Sequence, residues 1–144
     1  MPLTEEHRFG MQLAHTSRGW RAELDRRLAD LGLSQARWLV LLHLARFTGP
    51  PTQRELAQSV GVEGPTLARL LDSLENQGLV RRQAVLEDRR AKKILLSDTA
   101  RPLIEKIETI ANALRHELFM GIDEEELRVC MRVHAKILAN LEKS

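Results

Sequence analysis

A single cysteine, Cys130, in 144 residues leaves this chain unable to close a disulfide within itself, which excludes the small secreted scaffolds that depend on such bridges. No apolar run approaches the roughly 20 residues a membrane helix needs. The first 30 residues hold Glu5, Glu6, Glu23, Asp25 and Asp30 and no apolar stretch ending in a small-residue cleavage site, so no secretory signal is read and cytoplasmic residence is expected. Repeats and low-complexity tracts are missing as well. Enzymatic chemistry needs converging groups, and few are offered. There is no Gly-rich phosphate loop, and His116-Glu117 opens a zincin pattern whose second His position is occupied by Met120. No catalytic residue, cofactor or metal site is assigned, and the chain is read as a non-enzyme. Cys130 and His134 are the one i, i+4 ligand pair on a helix face. Two copies across a dimer axis would make a tetrahedral site, while a buried Cys beside a core His accounts for them equally well.

What is present is charge, unevenly placed. Hydrophobic residues make up 43% of the chain and charged ones 29%, a balance that suits one globular domain of ordinary size. Arginine supplies 17 of the 22 basic residues, and its planar fork suits phosphates and base edges. Arg81, Arg82, Arg89, Arg90, Lys92 and Lys93 crowd into thirteen positions against only Glu87 and Asp88, whereas Asp123-Glu124-Glu125-Glu126 is an acidic block.

Hydrophobic periodicity and punctuation divide the chain into six helices and a hairpin. Phe9, Leu13, Trp20, Leu24, Leu28 and Leu31 mark a helix over about 5–31, stopped by Gly32. Ser34 caps a second helix that buries Trp38, Leu41, Leu42 and Ala45 and ends before Thr48-Gly49-Pro50-Pro51. Thr52 and Glu55 form a capping box for a short third helix. Pro65 belongs in the first turn of a fourth, with Leu67, Leu70, Leu71 and Leu74 inward and Gly78 closing it. Two β-capable runs follow, Leu79 to Val85 and Lys93 to Leu96, joined by a charged connection. Ser97 is read as the cap of a fifth helix with Leu103, Ile107, Ala111, Leu114 and Leu118 inward, and Pro102 in its second turn costs a backbone bond. Asp123 with Glu126 caps the sixth, carrying Leu127, Met131, His134, Leu138 and Leu141.

The informative stretch is Gln53 through Leu71. Two short helices cross closely only where a small residue sits at the approach and a flexible one opens the turn, and Ala57, Gly61 and Leu67 occupy the small, flexible and sealing positions. Such a helix-turn-helix offers the leading residues of its second helix to the DNA major groove. Here these are Gly64, Pro65, Thr66, Arg69 and Ser73, small or hydrogen-bonding apart from one long cation, with Arg54 on the preceding helix. The charged hairpin directly after it has the form of a wing, placing Asp88, Arg89, Arg90 and Lys92 over flanking phosphates. A plain solvated hairpin is the alternative for that run. Asp88, two residues before Arg90, is placed to hold that guanidinium extended.

The helix order, the segment from Gly61 to Val80 and the stretch Asp88-Arg89-Arg90-Ala91-Lys92-Lys93-Ile94-Leu95-Leu96-Ser97 closely resemble the MarR family of bacterial winged-helix regulators, most nearly its SlyA branch. Leu33-Ser34-Gln35-Ala36-Arg37-Trp38 shares the resemblance, and Ser97 stands where the family usually has Thr. It implies a mainly α fold with a small β-hairpin wing: one domain over 1–144, with a winged helix at about 34–97 and dimerisation helices at about 5–31 and 98–143. It also implies a homodimer on a near-palindromic promoter site, with Arg69 and Arg90 touching double-stranded DNA. Oxidant-sensing members carry a Cys near the N-terminus, which this chain lacks. A pocket for small anionic aromatic effectors is a further implication, for which Trp20, Arg21 and Trp38 are the candidates; two core Trp and a surface Arg is the competing description.

The dimer has a second argument. A winged helix of about 60 residues has too little surface to cover the first, fifth and sixth helices together, so a partner chain is expected to do so. The reading is therefore a homodimeric DNA-binding transcriptional regulator. Its competitor is a protein-docking winged helix without DNA binding, which would not need the cation cluster.

Overall fold

A computed structural model describes residues 1–85 and 87–143, with the side chains of Asp88, Arg89 and Arg90 left undescribed. The order is α1 (Glu5–Leu28), a 3-10 turn (Ala29–Leu31), α2 (Gln35–Arg46), α3 (Gln53–Val60), α4 (Gly64–Asn76), β1 (Val80–Val85), β2 (Asp88–Leu96), α5 (Ala100–Leu118) and α6 (Glu124–Glu142). Mostly helical with one antiparallel ribbon, it has the expected fold class. The chain divides into two compact units, residues 1–112 and 113–144.

Local chemistry accounts for the ends of these elements. Ser34 accepts from the Arg37 amide at the start of α2, and the boxes Thr52/Glu55 and Asp123/Glu126 both close. Each satisfies amides that have no partner inside the helix. α4 ends in a Schellman turn: the Leu79 amide reaches the Leu74 carbonyl at 2.9 Å and the Gly78 amide the Glu75 carbonyl at 2.9 Å, with Gly78 at φ 77°.

Leu41, Leu56, Leu67, Leu71, Leu74 and Ile94 are fully buried and form the centre of the winged helix. α2 is buried more nearly all round than expected, with Val40 and Leu44 inside as well, while Ala45 is half-buried. The ribbon pairs Val80 with Leu96, Arg82 with Ile94 and Ala84 with Lys92, and its register shifts between Ala84 and Val85. β2 starts at Asp88, so strand structure extends well into the stretch read as a loop. Alternating hydrophobicity cannot mark a strand whose faces are solvated, as those of Gln83 and Lys93 are.

Two expectations about α5 are corrected. Ser97 does not cap it: its hydroxyl donates to the Gly78 carbonyl at 2.6 Å, and Thr99 Oγ1 donates to the same oxygen at 2.8 Å, closing the base of the ribbon. The helix begins at Ala100, which puts Pro102 in the first turn, where no amide is owed to a helical carbonyl and proline costs no bond. Leu118 is 42% exposed, and Ile104 is buried beside Ile107 and Ala111.

The terminal helices leave apolar surface open. Only Leu24 and Leu28 of α1 are buried, while Phe9, Met11 and Leu13 are exposed. No residue of α6 is buried; Leu127, Met131, Leu138 and Leu141, the apolar positions read from its spacing, are exposed in the single chain, as are Cys130 and His134. Among the described residues no helix is long and apolar enough to cross a membrane.

Candidate DNA-binding site

The turn between α3 and α4 rests on Gly61. Its φ of 84° lies in the left-handed region, which costs other residues roughly 1–2 kcal/mol. Both its amide and that of Val62 reach the Ala57 carbonyl, at 2.9 and 3.1 Å, so the helix ends and the chain reverses within one turn. Ala57, 8% exposed, and Leu67, fully buried, line the angle.

α4 then starts at Gly64 with Pro65 in its first turn, and its cap residue Glu63 makes no side-chain capping bond. Gly64, Pro65 and Arg69 are exposed, and Thr66 and Ser73 half-buried. A Cβ built on Gly64 would meet nothing within 4 Å, so neither packing nor backbone conformation demands glycine there. The smallness at this tip faces outward.

Arg54, Gly64 and Lys92 come together around an open groove of about 760 Å³ between α3, α4 and the ribbon, which Gln53, Gln58 and Arg82 also line. Arg81, Lys92 and Lys93 are exposed on the ribbon. The expected side-chain contacts of Asp88, Arg89 and Arg90, including the Asp88 hold on Arg90, lie outside the described residues.

The ribbon is tied to both helices. The Ile94 amide donates to the Pro51 carbonyl at 2.9 Å, and Thr52 forms a bridge with Lys93, fastening β2 to the start of α3. The Thr52 amide and hydroxyl hold the Glu55 carboxyl below its ordinary value, with the nearby Lys93 charge adding to the effect. β1 is fastened to α4 by Arg82, which reaches Asp72, Glu75 and the Ala68 carbonyl. Arg82 belongs to the basic stretch 81–93, yet its side chain is only 16% exposed. The available signal was parity: in a strand Val80 and Arg82 share a face, and Val80 is buried.

The effector candidates are not equivalent. Trp38 is 1% exposed and its Nε1 donates to Asp25 Oδ1 at 3.1 Å, so the core description fits it and its faces are taken by packing. Trp20 is half-buried and Arg21 exposed. Arg21 stands near His43, whose pKa is lowered by burial first and then by the charges of Arg46 and Arg21.

A helix with a small, exposed tip, fastened beside a cationic ribbon on a three-helix frame, defines a winged helix-turn-helix, a class built for duplex DNA. Residues 31–91 match the model of the MarR family. The fold superposes on the crystal structure of transcriptional regulator PA3341 with a TM-score of 0.89 and 68% sequence identity, covering 94% of this chain and 99% of that one. A MarR-family regulator from Silicibacter pomeroyi matches with a TM-score of 0.83 and 27% identity, over 97% and 96% of the two chains. MepR from S. aureus, solved as a DNA complex, matches with a TM-score of 0.80 and 25% identity, over 96% and 99%. This chain belongs to the MarR family of DNA-binding transcriptional regulators.

Proposed function

We propose that two copies of this chain bind one near-palindromic promoter site, each setting the tip of α4 into the major groove and its wing over the flanking backbone, in the manner of the SlyA-like branch. The observation that carries the DNA-contact face is the tip itself: Gly64 is exposed, with open space where a side chain would stand, which admits the close approach of a base edge. Arg69 is exposed further along the same helix, Thr66 and Ser73 offer hydroxyls, and Arg54 with Lys92 supplies phosphate contacts from the sides. Arg89 and Arg90 complete the wing. Apolar residues left open on α1 and α6 support the homodimer, and two-fold symmetry then sets the two tips about 34 Å apart. A small anionic aromatic effector is assigned to the neighbourhood of Trp20 and Arg21. Its effect on DNA binding is limited to its differential affinity for the two dimer geometries.

The test is a selection of duplexes from a random-sequence pool by the purified protein, followed by affinity measurements over a range of salt. The expected product is an inverted repeat, with affinity falling steeply as salt rises because each neutralised phosphate releases about 0.9 counterion. Arg90→Ala should weaken binding to all sequences and lower the salt slope by about one. Arg69→Ala should in addition relax preference at one position per half-site, worth roughly 1–3 kcal/mol of discrimination. Recovery of no duplex, or salt-independent binding, would point instead to a protein-docking winged helix.

A further inference from the structure

We infer that Arg82 is a positioning residue for DNA binding: it sets the angle of the wing against α4 without touching the duplex itself. The inference rests on the DNA-binding reading above. Ala68, Asp72 and Glu75 follow one another at i, i+4 and i+7 and so form a single stripe along α4. Arg82 engages all three. Its Nη2 bonds the Asp72 carboxylate and lies 3.3 Å from the Ala68 carbonyl. Its own amide donates to Glu75 Oε2 at 3.2 Å, and its Nε stands 4.0 Å from Glu75 Oε1. One residue of β1 therefore grips two turns of the DNA-facing helix through backbone and side chain together.

The stripe that Arg82 holds lies beside the stripe offered to DNA. Thr66, Arg69 and Ser73, at i, i+3 and i+7, run about 125° around the same helix from Ala68, Asp72 and Glu75. Across the ribbon Arg82 is paired with Ile94, which is fully buried and whose amide bonds Pro51. At this one rung the wing is attached to α4 on one side and to the start of α3 on the other. Beyond it the ribbon runs out to exposed residues, so a change of angle at the rung is magnified at the tip. The guanidinium bonds one carboxylate and one carbonyl through Nη2, its buried Nε faces Glu75 at ion-pair distance without a hydrogen bond, and the backbone amide bonds Glu75 directly.

Asp72 and Glu75 give the test its sign. Both are substantially exposed, with side chains at 65% and 43%, and both are negative charges next to a DNA-contacting face. If they only repelled phosphates, neutralising them would tighten binding. If they anchor Arg82, neutralising them loosens the wing and weakens binding. The experiment uses the duplex selected by the wild-type protein and follows affinity, salt slope, hydroxyl-radical footprint and thermal midpoint for Arg82→Met, Arg82→Lys and the double variant Asp72→Asn/Glu75→Gln. Expected for Arg82→Met and for the double variant are about a tenfold loss of affinity, a salt slope shallower by about one, and loss of protection in the flanks with the half-site centres still protected. Arg82→Lys should fall between these and wild type. The double variant lies at exposed positions and keeps the test decisive should Arg82→Met fail to fold. Tighter binding by the double variant, or unchanged flank protection in the folded variants, overturns the positioning role while leaving the DNA-binding reading intact. A wild-type protein that selects no duplex overturns both.

Discussion

At the scale of single residues, the groups that decide behaviour are those whose environment differs from what their type suggests. His43 is one. It lies between α2 and α3, with Nδ1 2.8 Å from Ser59 Oγ, and burial followed by the charges of Arg46 and Arg21 lowers its pKa from 6.5. The unfolded chain therefore takes up the proton at a higher pH than the folded one. Stability from this group is fully present above pH 6.5 and is lost as the pH falls from there through the folded-state value. Thermal midpoints of wild type and His43→Gln, measured at one protein concentration from pH 8 to pH 5, should converge as the pH falls. A constant gap would show that His43 carries no such linkage. The environment of His43 was not legible in the sequence, since it arises from residues on different elements, and for Arg82 strand parity with Val80 signals the inward face but not the partners on α4. A charge within a run of charges reads as solvated surface. Gly64, Pro65 and Arg69 were legible as exposed because helical periodicity fixes which side of α4 faces the core, and Leu67, Leu71 and Leu74 take that side.

At the scale of elements, boundaries were legible wherever a side chain or a glycine satisfies its own helix end. Thr52 with Glu55, Asp123 with Glu126, and Gly78 all close where their types and spacings predict. The start of α5 was not, because the Ser97 hydroxyl has a stronger claim on it: the Gly78 carbonyl, nineteen residues away, at the base of the ribbon. Two glycines of the helix-turn-helix separate folding from function. Gly61 at φ 84° serves the turn, and Gly61→Ala should cost about 1–2 kcal/mol of stability. Gly64 serves the outside, with an ordinary backbone and open space around its missing side chain. Gly64→Ala should leave the thermal midpoint unchanged or slightly raised, because alanine favours helix over glycine by up to about 1 kcal/mol, and yet weaken binding to the selected duplex. Loss of stability in Gly64→Ala, or undiminished affinity, would remove Gly64 from the contact face.

At the scale of the whole molecule, the apolar side chains of α1 and α6 left open in the single chain are what the proposed homodimer would cover. Leu127, Val129, Met131, Val133, Leu138 and Leu141 lie exposed along α6 between 39% and 63%. An ordinary soluble helix would bury one face, and the sequence reading expects a partner chain to cover this one because a winged helix of about 60 residues has too little surface. Their exposure in the single chain and their apolar type agree if a second copy covers them. The expected particle has twice the 16.4 kDa of the chain, and its unfolding midpoint should rise with protein concentration, since association stabilises the folded form by mass action. Leu138, 60% exposed in the single chain, gives the sharper test. Were that exposure to solvent, Leu138→Glu would change stability by no more than about 0.5 kcal/mol, as surface substitutions do. If the residue is covered by a partner, the same change places an unpaired charge in an apolar interface, at several kcal/mol. Leu138→Glu should then sediment as a monomer at micromolar concentration and lose binding to the full inverted repeat far more than binding to a single half-site. A Leu138→Glu protein that remains dimeric and binds both duplexes like wild type would place the dimer contact elsewhere than on this part of α6.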